Sequence, residues 1–269
     1  MIENYINLND IFFDNYLFGI NLAANLIPSV SKIRVDGRNP AIQTGVIPAD
    51  IWNGGGVYTG FTNTIGKIDV YSSLSTDSPS GQGAKKVLLY GLDANYEPIT
   101  EVITLNGTTK VRSTNNFIRC YRAKIIEAGT DKANNGVITA ERAGNVAIVF
   151  FKMPAGDSQT QLSAFTVPKG WTAFLLSWYA YTNRGAGNQF DREADICFTI
   201  IENETGVRYR GNRVNITNNS PYSVDYWMKS FPIAEKNDII VTCTGVSQND
   251  TDITSGYQLL LVENKCLTL

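Results

Sequence analysis

Histidine is absent from this 269-residue sequence. That excludes the Ser-His-Asp triad, the Cys-His dyad and the HExxH metal site, because each needs an imidazole. Also gone is the one side chain whose ordinary charge changes near neutral pH. Carboxylate-pair glycoside hydrolysis and Ser-Lys chemistry survive the exclusion. Charge is scarce as well. Asp, Glu, Lys and Arg make up 18% of residues, against about 25% in ordinary soluble proteins. A net charge of −2 supplies no overall pull toward nucleic acid or an anionic membrane. The four cysteines, Cys120, Cys197, Cys243 and Cys266, are far apart and form no CxxC pair, so a zinc ribbon or thioredoxin-like site is unsupported. The apolar flanks of Cys197 and Cys243 read as those of buried thiols, which points to assembly in a reducing cytoplasm. No run reaches the ~18–20 apolar residues of a membrane span. The opening Met1-Ile2-Glu3-Asn4-Tyr5 lacks a basic n-region, and Asp10 and Asp14 interrupt the apolar run behind it. The chain reads as soluble, without a leader.

What is present is apolar and turn-forming. Hydrophobic residues reach 43%, enough for a packed core and too many for intrinsic disorder. The polar remainder is Asn, Thr, Ser and 23 Gly, a mixture suited to strands and turns. Residues 1–60 differ from the rest and read as an arm that either folds back over its own domain or lies against a neighbour. Phe13, Tyr16, Leu17 and Ile20 fall at i, i+3, i+4, i+7, which predicts a short helix ending before Pro28. Asp36-Gly37-Arg38-Asn39-Pro40 reads as a turn, and Trp52 to Tyr58 around Gly54-Gly55-Gly56 as an irregular close-packed connection. Phe12, Phe13, Tyr16, Phe18, Trp52 and Tyr58 are the expected partner-binding anchors of this arm.

From about residue 61 the period becomes two. Strands are expected at 67–73, 85–91, 99–105, 117–127, 137–141 and 146–153, with Asn106-Gly107, Asn135-Gly136 and Gly144-Asn145 as turns. Pro154-Ala155-Gly156-Asp157 breaks the pattern. A second series follows at 162–167, 171–181, 195–202, 207–213, 222–231, 239–245 and 256–263. The expectation is an all-β protein: two β-sandwich (jelly-roll-like) domains, 61–156 and 157–269, behind the 1–60 arm.

Few motifs carry chemistry. Gly81-Gln82-Gly83-Ala84-Lys85-Lys86 lacks the Ser/Thr and the following helix of a phosphate loop. Asn249-Asp250-Thr251-Asp252 offers oxygen ligands but neither the sharp-turn Gly nor the distal Glu of an EF-hand. Arg112, Arg119, Arg122 and Lys124 surround Phe117 and Tyr121, and Arg208, Arg210 and Arg213 surround Tyr209. With no net positive charge these read as outward sheet faces or subunit contacts. Asp191, Glu193 and Asp195 alternate as a polar loop entering a strand. Trp178 and Tyr181, an odd number apart, belong to opposite strand faces. Tyr179, Tyr181, Asn183 and Arg184 could together form a glycan site. No catalytic residue, cofactor or metal is expected.

The order of motifs is Gly37-Arg38-Asn39-Pro40, Asp50-Ile51-Trp52-Asn53-Gly54-Gly55-Gly56-Val57-Tyr58, Ser72-Ser73 with Asp77, and Gly81-Gln82-Gly83-Ala84. Next come Gly91-Leu92-Asp93, Glu101 to Gly107, Asn134-Asn135-Gly136-Val137-Ile138 and Thr166-Val167-Pro168-Lys169-Gly170. This order, over residues 34–265, resembles a group of small virion structural proteins of tailed bacteriophages. The resemblance implies a non-enzymatic place in the particle: a head-surface, neck or tail accessory or fibre protein, assembled in the host bacterial cytoplasm. Expected partners are other copies of the chain and capsid, portal or tail proteins, with no nucleic acid or membrane. A glycan- or receptor-binding module for host attachment is the alternative.

Overall fold

The computed structural model describes residues 19, 21, 22, 24, 26–183, 192–225 and 231–267. Gly19, Asn21 and Leu22 have helical backbone; the rest of the expected helix lies outside the described residues. The elements after that are strands, apart from a closing 3-10 turn at Asn264–Cys266. The chain opens with β1 (Val30–Ile42) and β2 (Ala49–Asp50). Seven strands follow as a block: β3 (Ile68–Ser72), β4 (Ala84–Leu92), β5 (Pro98–Thr104), β6 (Val111–Arg112), β7 (Arg119–Ala128), β8 (Ile138–Arg142) and β9 (Asn145–Met153). The last block is β10 (Phe165–Thr166), β11 (Trp171–Thr182), β12 (Glu193–Ile201), β13 (Arg208–Thr217), β14 (Tyr222–Asp225), β15 (Pro232–Ile233), β16 (Asp238–Val246) and β17 (Thr251–Glu263).

These strands make four antiparallel sheets. The first runs β1-β17-β11-β14, with β15 also on β11; the second runs β10-β16-β12-β13, with β2 on β16. The third is β6-β3-β8-β9 and the fourth β5-β4-β7. Alternation explains which faces meet. Val35, Ile253, Tyr257 and Trp178 of the first sheet share one apolar cluster with Ile196, Phe198, Ile239 and Val241 of the second. Ile68, Val70, Ile138 and Phe151 of the third sheet share another with Val87, Leu89, Ile103 and Ala123 of the fourth.

The second sheet is buried on both sides at β12 and β16, and this joins the halves. Ile201 and Ile240 on its reverse face enter the second cluster. Beside them Asp238 receives Arg119 of β7 through two charge-assisted hydrogen bonds, Nε to Oδ1 at 2.9 Å and Nη2 to Oδ2 at 2.8 Å. The Thr166 hydroxyl also donates to Oδ1, at 2.5 Å. Phe61 and Tyr96 rings lie against the guanidinium. Deep burial raises the Asp238 carboxyl above its ordinary range, while the hydrogen bond from Arg119 opposes that shift.

Three expectations change. Of the two readings of the arm, residues 30–60 fold back, and they do so as strands of the chain's own sheets rather than as a separate arm. β1 pairs with β17 from Val30↔Val262 to Ile42↔Thr251, and β2 pairs with β16. The reason is a period-two run, Ile33, Val35 and Gly37 inward against Arg34, Asp36 and Arg38 outward, which the Gly and Pro signals obscured. Consequently 61–156 is an insertion between strands of the other half rather than the first of two successive domains. Second, Asp36 to Pro40 is mid-strand, not a turn. Gly37 is there because a Cβ would come 2.4 Å from the Ser163 backbone nitrogen. Third, Asn106-Gly107 does turn, with Gly107 at φ 58°, but the strands it joins lie in different sheets, β5 in the fourth and β6 in the third. Its backbone is claimed elsewhere, by Ser72 and by Asp77.

Candidate functional site

The outward face of the first sheet brings most chemistry together. Register aligns Asp36, Gly256, Tyr179 and Ser223 in one row across β1, β17, β11 and β14. Arg38, Thr254 and Tyr181 form the adjoining row. Gly256 has no side chain between its neighbours, so Tyr179 reaches across it and donates its hydroxyl to Asp36 Oδ1 at 2.5 Å. The same carboxylate accepts Arg34 Nε at 2.8 Å. Burial and the Asp36 carboxylate push the Tyr179 hydroxyl up, so it remains a donor at neutral pH.

The second row is equally fixed. Arg38 meets Asp252 in a fork, Nε to Oδ1 at 3.0 Å and Nη2 to Oδ2 at 2.6 Å. The hydrogen bond to Asp252 holds the Arg38 guanidinium above its ordinary value. Asn183 Nδ2 donates to Asp252 Oδ1 at 2.8 Å and to Thr254 Oγ1 at 2.9 Å. Over this polar floor the Tyr179 and Tyr181 rings stack, with centroids 6.1 Å apart and planes 17° apart. Tyr181 remains 39% exposed. An exposed ring beside fixed carboxylate, guanidinium and amide groups offers an apolar surface to a sugar's C–H face and hydrogen-bond partners to its hydroxyls.

The expected glycan residues thus separate in a simple way. Tyr179, Tyr181 and Asn183 share one face, whereas Arg184 lies outside the described residues. Trp178 points inward, fully buried, with Nε1 donating to Ser255 Oγ at 3.0 Å. Arg34, Asp36, Arg38, Asp252, Thr254 and Gly256 were missed as partners of the site. Their signal was present as Arg34-x-Asp36-x-Arg38 and Asp252-x-Thr254-x-Gly256, each alternating at the strand period.

The expected anchors separate too. Phe12, Phe13, Tyr16 and Phe18 lie outside the described residues. Trp52 and Tyr58 are each only 4% exposed and pack edge-to-face, 5.3 Å between centroids. They belong to the chain's own core. The three glycines between them let the loop close: Gly55 and Gly56 have φ of 72° and 61°, and the Trp52 ring occupies the space a Gly54 side chain would need.

Elsewhere, acidic groups are committed to holding loops and sheets. Asp77, fully buried, accepts backbone N–H groups of Ala84, Asn135 and Gly136 and the Ser72 hydroxyl. Several motifs far apart in sequence therefore converge on one carboxylate. Glu141, nearly buried, accepts the Tyr71 hydroxyl and the Lys110 ammonium. It borders a groove of about 600 Å³ shared with Pro40, Asn53 and Lys152. Among the described residues no group of three or more His, Cys, Asp or Glu side chains could hold a metal ion. All four cysteines are free, with Cys120, Cys197 and Cys243 buried; burial pushes the Cys243 thiol up to about 12.

No family model matches the chain, and no curated protein matches it.

Proposed function

We propose that the chain is a non-enzymatic structural subunit of a tailed-phage virion, built as two wedded β-sandwich (jelly-roll-like) units. It works as a homo-oligomer at the head surface, neck or tail, and assembles in the host cytoplasm. Attachment runs through the segment before β1, where Phe12, Phe13, Tyr16 and Phe18 supply apolar anchors. Burying each such ring in a partner contributes about 1.5–3 kcal/mol.

One observation carries this reading. The chain enters β1 beside the end of β17, where Glu263 N donates to Ser29 O and Val30 pairs with Val262. The Arg38–Thr254–Tyr181 row lies eight strand positions farther on, about 26 Å away. Attachment and display would therefore occupy opposite ends of the same long strands, joined by a rigid sheet. Deleting residues 1–25, which leaves β1 intact, should abolish incorporation into particles. Incorporation at the wild-type level would overturn the reading.

A second role, recognition of a host-surface glycan, is favoured by the stacked Tyr179 and Tyr181 over their hydrogen-bonded floor. A glycan array probed with the full chain and with Tyr181→Ala tests it. Signals lost in the variant support the role, and an array silent for the full chain removes it.

A further inference from the structure

The edge strand β13 carries a feature invisible in its sequence. Arg208, Arg210 and Arg213 are spaced two and then three apart, which on a regular strand puts Arg213 on the opposite face from the other two. Pairing with β12 is not regular. Arg208 lies opposite Ile201 and Arg210 opposite Thr199, but Arg213 lies opposite Cys197. Gly211 and Asn212 together face the single residue Phe198, so β13 contains a bulge. A bulge inserts one residue and re-aims the side chains beyond it. Because Cys197, Thr199 and Ile201 alternate on one face of β12, all three arginines share that face of β13.

The row is open. Arg208, Arg210 and Arg213 are all exposed, and none forms an ion pair among the described residues. The acids of the adjoining hairpin do not neutralise them: Glu202 accepts the Thr205 hydroxyl, and Glu204 forms no ion pair among the described residues. The carboxylates Asp50 and Asp238 lie on this same face, across β12 and β16, and feel the field of Arg208, but both are buried and already bonded, Asp238 to Arg119 and Asp50 to Thr242. The three arginines thus sit opposite every second residue of β12, about 7 Å apart along the ladder, exposed and without an ion pair among the described residues.

We propose that this row binds a linear acidic glycopolymer, a uronate or polyol-phosphate chain, each arginine taking a carboxylate or phosphate. A planar guanidinium grips either group through paired N–H bonds. The bulge disrupts the ladder a new strand would need, so an added peptide strand fits poorly. Single-stranded nucleic acid is disfavoured because such sites stack bases on rings along the charged track. Tyr209, 54% exposed, belongs to the other face. The site is distinct from the Tyr179–Tyr181 face and does not depend on assembly into a particle.

The test is equilibrium binding of the purified full chain to polygalacturonate decamers, to glycerol-phosphate oligomers and to a dT decamer, at low and moderate salt. At least one of the two acidic probes should bind, with affinity falling as salt rises, and the stronger one identifies the acidic group. Arg208→Glu/Arg210→Glu/Arg213→Glu should weaken that binding at least tenfold, and Arg213→Glu alone several-fold. The control Lys32→Glu/Lys85→Glu/Lys132→Glu, with the same charge change elsewhere, should stay within twofold. Thermal melts verify that each variant is folded. The proposal is overturned if neither acidic probe binds, if the two triple variants lose affinity equally, or if dT binds more tightly than both.

Discussion

Arg119 of β7 and Asp238 of β16 form a two-point ion pair with side chains only 3% and 4% exposed. It is the buried ion pair of the seam between the inserted half and the half that encloses it, which Tyr96 also crosses by donating its hydroxyl to Asn203. Removing one partner leaves the other charged, buried and unpaired, which costs about 3–5 kcal/mol. Arg119→Ala should therefore lower the denaturant midpoint sharply. Arg119→Met with Asp238→Leu together should recover most of that loss, because no stranded charge remains. A double variant no more stable than the single one would show that the pair's geometry, rather than compensation of charge, holds the seam.

Asp50 is a buried carboxylate of a different kind. It accepts Thr242 Oγ1 at 2.7 Å and the Tyr58 N–H at 2.8 Å, without an ion pair among the described residues. Burial raises its carboxyl above the ordinary aspartate value of 3.8. A folded value above the unfolded one means Asp50 contributes most at acid pH, below 3.8. That contribution is lost as pH rises through the folded value. Asp50→Asn retains an acceptor for Tyr58 and has no charge to desolvate. Its stability relative to wild type should grow as pH rises above 3.8 and level off once the folded carboxyl is ionised. Urea titrations across that range check the sign; a difference independent of pH would refute it.

Gly256 is required for closeness rather than for backbone freedom. A Cβ there would lie 2.6 Å from Tyr179 Oη, 2.6 Å from the Val35 carbonyl oxygen and 2.7 Å from Asp36 Oδ1. The carbonyl cannot step aside without moving β1. Gly256→Ala should cost about 1–3 kcal/mol and break the Tyr179–Asp36 hydrogen bond. Thermal melting reports the first effect. The second would appear as a lowered Tyr179 titration, since Asp36 helps keep that hydroxyl protonated.

Trp52 separates core from anchor. Its ring packs in the inserted half's core, and Nε1 donates to Gly56 O at 3.2 Å. Trp52→Ala should cost the isolated chain about 3–5 kcal/mol. A variant as stable as wild type in isolation, yet defective in assembly, would restore Trp52 to the anchors.

Sequence pattern alone located most strands, because an exposed antiparallel face leaves a period of two whatever its neighbours are. β3, β4, β5, β7, β8 and β9 begin and end within two residues of the alternating runs. Gly144, at φ 81°, makes the β8–β9 turn that Gly144-Asn145 announces. The buried thiols of Cys197 and Cys243 and the opposite faces of Trp178 and Tyr181 come from the same local reading. β1 was legible in principle, through Arg34-x-Asp36-x-Arg38, but the turn-forming residues around it gave a competing and incorrect signal.

Local pattern carries no information on which strand lies beside which. Pairing is a long-range choice, made where two hydrophobic faces can bury each other and every backbone group finds a partner. Only the tertiary structure therefore decided that β1 closes against β17, some 220 positions later, and that Asp77 gathers three separate loops. The same holds for the glycine that lets Tyr179 reach Asp36, and for the single inserted residue in β13 that turns three unevenly spaced arginines into one row.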